Sequence, residues 1–152
     1  MHDAFHKISK ELVKIAEEYG VTTIVFGKND GWKQEIEMQK KTKQHFVQIA
    51  HAHFLKFATY KAAEKGIKIK TQEESYTSKA SSIDCDRIPT YGDEHIPTFS
   101  GRRIKRGLYR SANGTTINAD VNGAYNILRK AVPRYFEGIE VAVSQPLKIT
   151  IG

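Results

Sequence analysis

Cysteine is nearly missing from this chain of 152 residues, Cys85 being the single one. One thiol excludes an internal disulfide framework and fits a reducing compartment. Long apolar runs are missing as well. No stretch approaches the ~20 residues needed to span a bilayer, and Met1 opens no charged-then-apolar leader pattern. The expected setting is therefore the cytoplasm, with no membrane partner. Acidic side chains are in deficit, 17 against 24 Lys+Arg, leaving a formal net charge of +7 and a pI near 9.4. That surplus favours a polyanionic partner without specifying a fold. Repeats and low-complexity tracts are also lacking. With 39% hydrophobic and 27% charged residues the chain has material for a core, which excludes disorder and collagen-like structure.

What is present has alternating helix and strand periods. Phe5, Ile8, Leu12, Ile15 and Tyr19 recur at three- and four-residue steps, predicting an amphipathic helix over 3–19 that stops at Gly20. Val21–Phe26 is a β-branched run ending at Gly27, short enough for a buried strand. The polar segment 28–44, with Asn29, Asp30 and Gly31 as turn signals, predicts a loop. A second helix is expected from about Phe46 to Lys65, with Val47, Ala50, Phe54 and Ala58 on its apolar face and Gly66 as its end. Ile67–Thr71 then alternates like a strand. Strand, helix, strand describes a βαβ crossover with two parallel neighbours.

From 75 to 118 the periodicity breaks into Ser, Thr, Gly and Pro, predicting an inserted, loop-rich subdomain. A helix returns over Ala119–Ala131, with Val121, Ala124, Leu128 and Ala131 sharing a face and Pro133 closing it. Ile139–Val143 and Leu147–Ile151 are candidate short strands. The expected division is 1–74, 75–118, 119–132 and 133–152.

Four constellations carry chemistry. Asp120 opens the last helix, where a carboxylate serves either as a dipole-favoured capping residue or, beside the small Ala124, as a metal ligand approaching a sheet edge. Glu73 and Glu74 follow the second strand, at the carboxyl end where α/β sheets gather function; the plainer reading is a solvated strand end. Arg102, Arg103, Lys105, Arg106 and Arg110 cluster around Phe99, Leu108 and Tyr109, a pattern suited to phosphates and unpaired bases, or a solvated loop anchored by Tyr109. Lys28, Lys33, Lys40, Lys41 and Lys43 form a weaker basic stretch around Trp32, diluted by Asp30, Glu35 and Glu37. His51 and His53, two apart on a helix, point to different faces and make no metal pair.

In order and spacing, Ile24–Asn29, Glu74–Lys79 and Ile117–Leu128 resemble the C-terminal half of TnpB, the OrfB-type insertion-sequence protein related to miniature type V CRISPR nucleases and Fanzor proteins. Phe5–Ser9 and Phe46–Ile49 extend the likeness over almost the whole chain. The resemblance implies an α/β fold: a partial RNase H-like (RuvC-like) domain with a βαβ unit, an inserted target-nucleic-acid-binding subdomain and a C-terminal helix. It also implies an RNA-guided DNA endonuclease in which carboxylates hold Mg²⁺, with DNA and guide RNA as partners. Asp120 matches the family's third motif. The second-motif Glu normally ends the strand at the position of Gly27; Fanzor-like members place it before Tyr-Thr-Ser instead, which matches Glu74 rather than Glu73.

Departures from the family pattern shape the expectation. The first-motif Asp has no counterpart, since the sequence begins in the helix after the strand that carries it, and Asp3 lies in helical surroundings. Two carboxylates hold Mg²⁺ weakly, because the ion keeps its waters unless several hard ligands are prearranged. Relatives often carry two Cys-x-x-Cys pairs in the insert; the matching positions are Ser81 and Asp84, then Ser111 and Gly114, so a degenerate ribbon without zinc is expected. The leading expectation is a C-terminal piece of a nuclease that binds nucleic acid and does not cleave alone, completed by an N-terminal RuvC fragment or the full-length nuclease. A non-catalytic regulator of the parent element and an inert remnant are the alternatives.

Overall fold

A computed structural model describes residues 2–29, 38–138, 146 and 148–151, those from 38 to 46 by backbone alone. The chain divides into two compact units, one of residues 1–26, 32–70 and 149–152, the other of 27–31 and 71–148. Among the described residues no helix is long and apolar enough to cross a membrane.

In the first unit, α1 (His2–Glu18) packs on α2 (Met38–Glu64). Val13, Ala16, Ala62 and Ile67 form the core, with Val21, Ile24 and Ile69 against it. The buried face of α1 is rotated from the expected one. Ser9, Val13 and Ala16 are buried, whereas Ile8 is 39% and Tyr19 70% exposed. Ser9 tolerates burial because its hydroxyl donates to the Phe5 carbonyl at 2.6 Å and accepts from Lys61 Nζ at 2.8 Å. A polar residue with both roles filled costs little inside. Helix α2 starts at Met38, inside the segment 28–44 expected as loop. Met, Gln and Lys are good helix formers without Gly or Pro between them, so propensity carries the helix where apolar periodicity is silent. Trp32, Lys33, Asp30, Glu35 and Glu37, and the side chains of Lys40, Lys41 and Lys43, lie outside the described residues.

β1 (Thr23–Lys28) and β2 (Lys68–Glu73) are hydrogen-bonded neighbours. Lys68 N donates to Thr22 O at 2.9 Å and Glu74 N to Lys28 O at 3.1 Å. The residue offset is the same at both ends, which marks parallel strands, as the βαβ reading requires. β1 runs on through Gly27 to Lys28 instead of stopping at Gly27.

The second unit contains a three-stranded antiparallel sheet in the order β3 (Arg102–Lys105), β4 (Leu108–Arg110), β5 (Thr116–Asn118), followed by α3 (Ala119–Ala131) and a short 3₁₀ turn, Pro133–Phe136. The segment expected to be loop-rich thus holds its own small sheet, with Tyr109, Ile117 and Ala119 as a core backed by Ile83, Val121 and Tyr125. The face of α3 differs from the apolar one expected. Asn122 and Asn126 are fully buried, and Ala124 is exposed.

Those amides bind the preceding loop to the helix. Asn122 Nδ2 donates to Ala80 O at 2.9 Å, its Oδ1 accepts from Ser82 N at 2.9 Å, and Asn126 Nδ2 donates to Thr77 O at 2.9 Å. This stitching puts the insert and the last helix in one unit, rather than in the separate segments 75–118 and 119–132. Residues 148–151 form no strand, and the candidate strand Ile139–Val143 lies outside the described residues.

Candidate functional site

Glu74 is the first residue beyond β2, and its backbone N–H is held by Lys28 O at the end of β1. Its carboxylate faces Gly27. A Cβ on Gly27 would overlap Glu74 Oε2, lie 3.2 Å from Glu74 Cδ and 2.8 Å from Ile127 Cδ1 of α3. The space beside position 27 is therefore filled by the Glu74 side chain.

Glu73, its sequence neighbour, does something else. Its Oε2 pairs with Lys130 Nζ and its Oε1 accepts from Ser75 N at 2.7 Å. Lys130 Nζ also donates to Pro89 O at 3.0 Å and Ser75 O at 3.2 Å, with only 8% of its side chain exposed. Burial opposes the charge on Glu73, but hydrogen bonds from Lys130 and Ser75 outweigh it and hold the carboxyl below its ordinary range. Glu73 is thus committed to a structural ion pair. Among the described residues the Glu74 carboxylate has no ion pair or hydrogen bond.

Asp120 sits exposed in the first turn of α3. The cap is made by Asn118, whose Oδ1 accepts from Asp120 N at 2.9 Å and Val121 N at 3.1 Å. With capping assigned to Asn118, the Asp120 carboxylate has no hydrogen bond among the described residues. Asp120, Ala124 and Ile127 lie on one stripe of α3, two turns or about 10 Å end to end. Gly123 beside them leaves open space, since a Cβ there would meet nothing within 4 Å. The structure therefore sets Glu74 against the Ile127 end of the stripe that begins at Asp120. Hard, uncommitted carboxylate oxygens suit Mg²⁺. No group of three His, Cys, Asp or Glu able to hold a metal occurs among the described residues. His51 and His53 are both exposed.

The basic cluster falls on β3, β4 and their connecting turn. Arg102, Arg103, Lys105, Arg106 and Arg110 are all exposed. Arg102 stands directly opposite Arg110, and Arg103 opposite Tyr109, with a bulge before Lys105. Like charges directly opposite each other destabilise a sheet in the absence of a counter-charge. None of the five side chains has an ion pair or hydrogen bond among the described residues. Arg102 and Arg110 also flank a pocket of about 420 Å³ walled by Phe99, Ser100 and Gly101.

Tyr109 corrects the sequence reading. The ring is 1% exposed and its hydroxyl donates to Lys79 O at 2.7 Å, so it offers no face to a base. Burial, with the nearby Asp86 and Asp84 charges adding to it, pushes its hydroxyl up to about 12. Residues missed at the sequence level are Asn122, Asn126 and Lys130. Their four-residue spacing was the available signal, a polar stripe running beside the apolar face of the same helix.

Comparison with known proteins shows the family of the chain. The Cas12f1-like, TNB domain family model matches residues 51–127, just over half the chain. A CRISPR-associated endodeoxyribonuclease Cas12f2 from a Micrarchaeota archaeon is 29% identical over 136 residues, covering 84% of this chain and 23% of that protein. A TnpB-like protein of Acidianus two-tailed virus is 30% identical over 129 residues, covering 84% and 24%. This chain thus spans about a quarter of the length of those relatives. The cryo-EM structure of a Cas12f1–sgRNA–target DNA complex shares the fold with TM-score 0.55 at 18% identity, over 83% of this chain and 32% of that one. The chain belongs to the TnpB-type family, and residues 51–127 are its Cas12f1-like TNB domain.

Proposed function

We propose that the chain serves a TnpB-type RNA-guided DNA endonuclease, contributing two carboxylates of a RuvC-like, RNase H-fold site and a basic ribbon that holds nucleic acid. The observation that carries this reading is the Glu74 carboxylate lying in the side-chain space of Gly27, at one end of the α3 stripe that Asp120 begins. A carboxylate delivered from the residue after β2 replaces one delivered from β1. The pairing of Glu73 with Lys130 supports Glu74 over Glu73 as the ligand. Mg²⁺ bound there would activate water and stabilise the leaving oxygen of a phosphodiester. Glu74 and Asp120 supply anionic oxygens, and the five cations on β3, β4 and their turn neutralise phosphates. The Cas12f1 complex contains sgRNA and target DNA, and these are the partner classes that the reading assigns here.

Two carboxylates give weak binding of a hard cation. The 152-residue chain is therefore expected to bind single-stranded or heteroduplex nucleic acid with strong salt dependence and not to cleave it alone. Weak binding of that kind also fits a second reading, a non-catalytic nucleic-acid-binding regulator of the same element. Mn²⁺ titration followed by NMR line broadening tests the site. Broadening centred on Glu74 and Asp120 supports the first reading, and broadening absent there with binding intact favours the second. Cleavage by the chain alone, lost in Asp120→Ala, would show that the donor set is complete.

A further inference from the structure

The resemblance read from the sequence sets Ser81 and Asp84, and then the neighbourhood of Ser111 and Gly114, against the paired thiols it implies. A metal does not fit the donors found there. Gly114 offers none, Ser111 Oγ is engaged with Asn113 Oδ1 at 2.6 Å, and Asp84 Oδ2 already accepts the Ala112 N–H at 3.0 Å. A tetrahedral site needs four ligands, and thiolate or imidazole is what zinc prefers.

The same atoms make a different closure. The Asp84 carboxylate joins the first span to the second directly through Ala112 N. Within the first span, Asp84 N donates to Ser81 Oγ at 3.2 Å, which fixes the turn that aims the carboxylate. Asp86 adds a second tie. Its Oδ2 accepts from Ser81 N at 2.8 Å and Ser100 N at 3.0 Å, and its Oδ1 accepts from Ser100 Oγ. The approach to β3 is thereby fastened to the first span. In the second span Asn113 Oδ1 accepts from Thr115 N at 2.9 Å, and Ser111 N donates to Thr115 O at 2.9 Å. Ser81 and Ser111 are 0% and 4% exposed, while the Asp84–Ala112 and Asp86–Ser100 links lie at the surface of the unit. No buried side-chain polar atom among the described residues lacks a partner. Hydrogen bonds accepted by a carboxylate are about twice as strong as neutral ones, which suits them to a linking role.

We infer that the ribbon of this chain is a metal-independent fold, in which the Asp84 and Asp86 carboxylates make the links between its turns that a zinc ion makes where thiols are present. This closure is separate from the proposed function and does not depend on what the basic strands bind.

The test uses the whole 152-residue chain, purified without a metal-chelating tag. Elemental analysis and thermal unfolding with and without EDTA are combined with amide hydrogen exchange at Tyr109 and Ile117. Expected are zinc far below one per chain, a melting temperature unmoved by EDTA, and slow exchange at both amides in chelator. Asp84→Ala should lower the melting temperature by several degrees and speed that exchange, and Asp84→Asn, which keeps an acceptor oxygen, should restore part of the loss. One zinc per chain whose removal opens β4 and β5 overturns the inference. So does unchanged exchange in both Asp84 variants. If Asp84→Ala does not fold, Asp84→Asn and the chelator experiment on the parent chain still decide it.

Discussion

The Glu74 carboxylate and the Cα of Gly27 are close enough that no side chain fits between them. This makes Gly27 a packing glycine, chosen for lack of volume and not for backbone freedom. Gly27→Ala should displace the Glu74 carboxylate and destabilise the chain by about 1 kcal/mol, the low end of overpacking, because the atoms in the way are ends of flexible side chains. Urea unfolding measures it. Gly27→Ala combined with Glu74→Ala should recover part of that cost, because the two sites touch and are not additive. Equal losses in the single and double variants would place the conflict at Ile127 instead.

Lys130 holds Glu73, Ser75 and Pro89 together at the root of the Glu74 turn. Lys130→Met leaves the partly buried Glu73 carboxylate without its cation, which should cost about 1–3 kcal/mol. Lys130→Met with Glu73→Leu should cost less than Lys130→Met alone. A chemical-denaturation cycle over the four proteins checks this, and additive losses would deny the coupling.

Arg102 and Arg110 face each other across β3 and β4 with no carboxylate partner among the described residues. Replacing either with Ala should leave folding stability unchanged or raise it by a few tenths of a kcal/mol, since a like-charge pair is relieved. Nucleic-acid affinity should fall at the same time, with the slope of log K against log salt reduced by about 1 for each phosphate no longer neutralised. Fluorescence anisotropy from low to moderate salt reads both.

Tyr109 gives an alkaline signature. Its hydroxyl is pushed up to about 12 in the folded chain, against 10.0 ordinarily. The unfolded chain therefore releases this proton first as pH rises, so stability should decline from about pH 10 towards 12. Tyr109→Phe should remove that part of the decline, at a cost of about 1 kcal/mol below pH 9 for the missing bond to Lys79 O. Unfolding midpoints against pH in both proteins test the prediction.

Much of this architecture was readable from periodicity. The βαβ segment, the stop signals at Gly20 and Gly66, and the last helix over Ala119–Ala131 follow from local pattern and turn chemistry, which act within a few residues. What escaped depended on tertiary partners. Ser9 is buried only because Lys61, 52 residues away, meets its hydroxyl. The polar inner face of α3 makes sense only once the carbonyls of Thr77 and Ala80 are beside it. Tyr109 read as a surface aromatic because its neighbours in sequence are basic, while it packs with Ile117 and Ile83. At the candidate site, Glu74 was named from its order in a family pattern. The division of labour between Glu73 and Glu74 became physical only with Lys130 and Gly27 in place.

The parallel pairing of β1 with β2 has a consequence for that division. Adjacent residues on a strand point to opposite sides, so a slip of one position would turn each glutamate to the other side of the strand. Glu73 would then take the place beside Gly27, and Glu74 would move one residue further on. The bond from Glu74 N to Lys28 O is thus a phase marker, deciding which of two identical side chains is paired with Lys130 and which lies against Gly27. A one-residue insertion in β2 would leave the composition and net charge of the chain almost untouched and alter that choice.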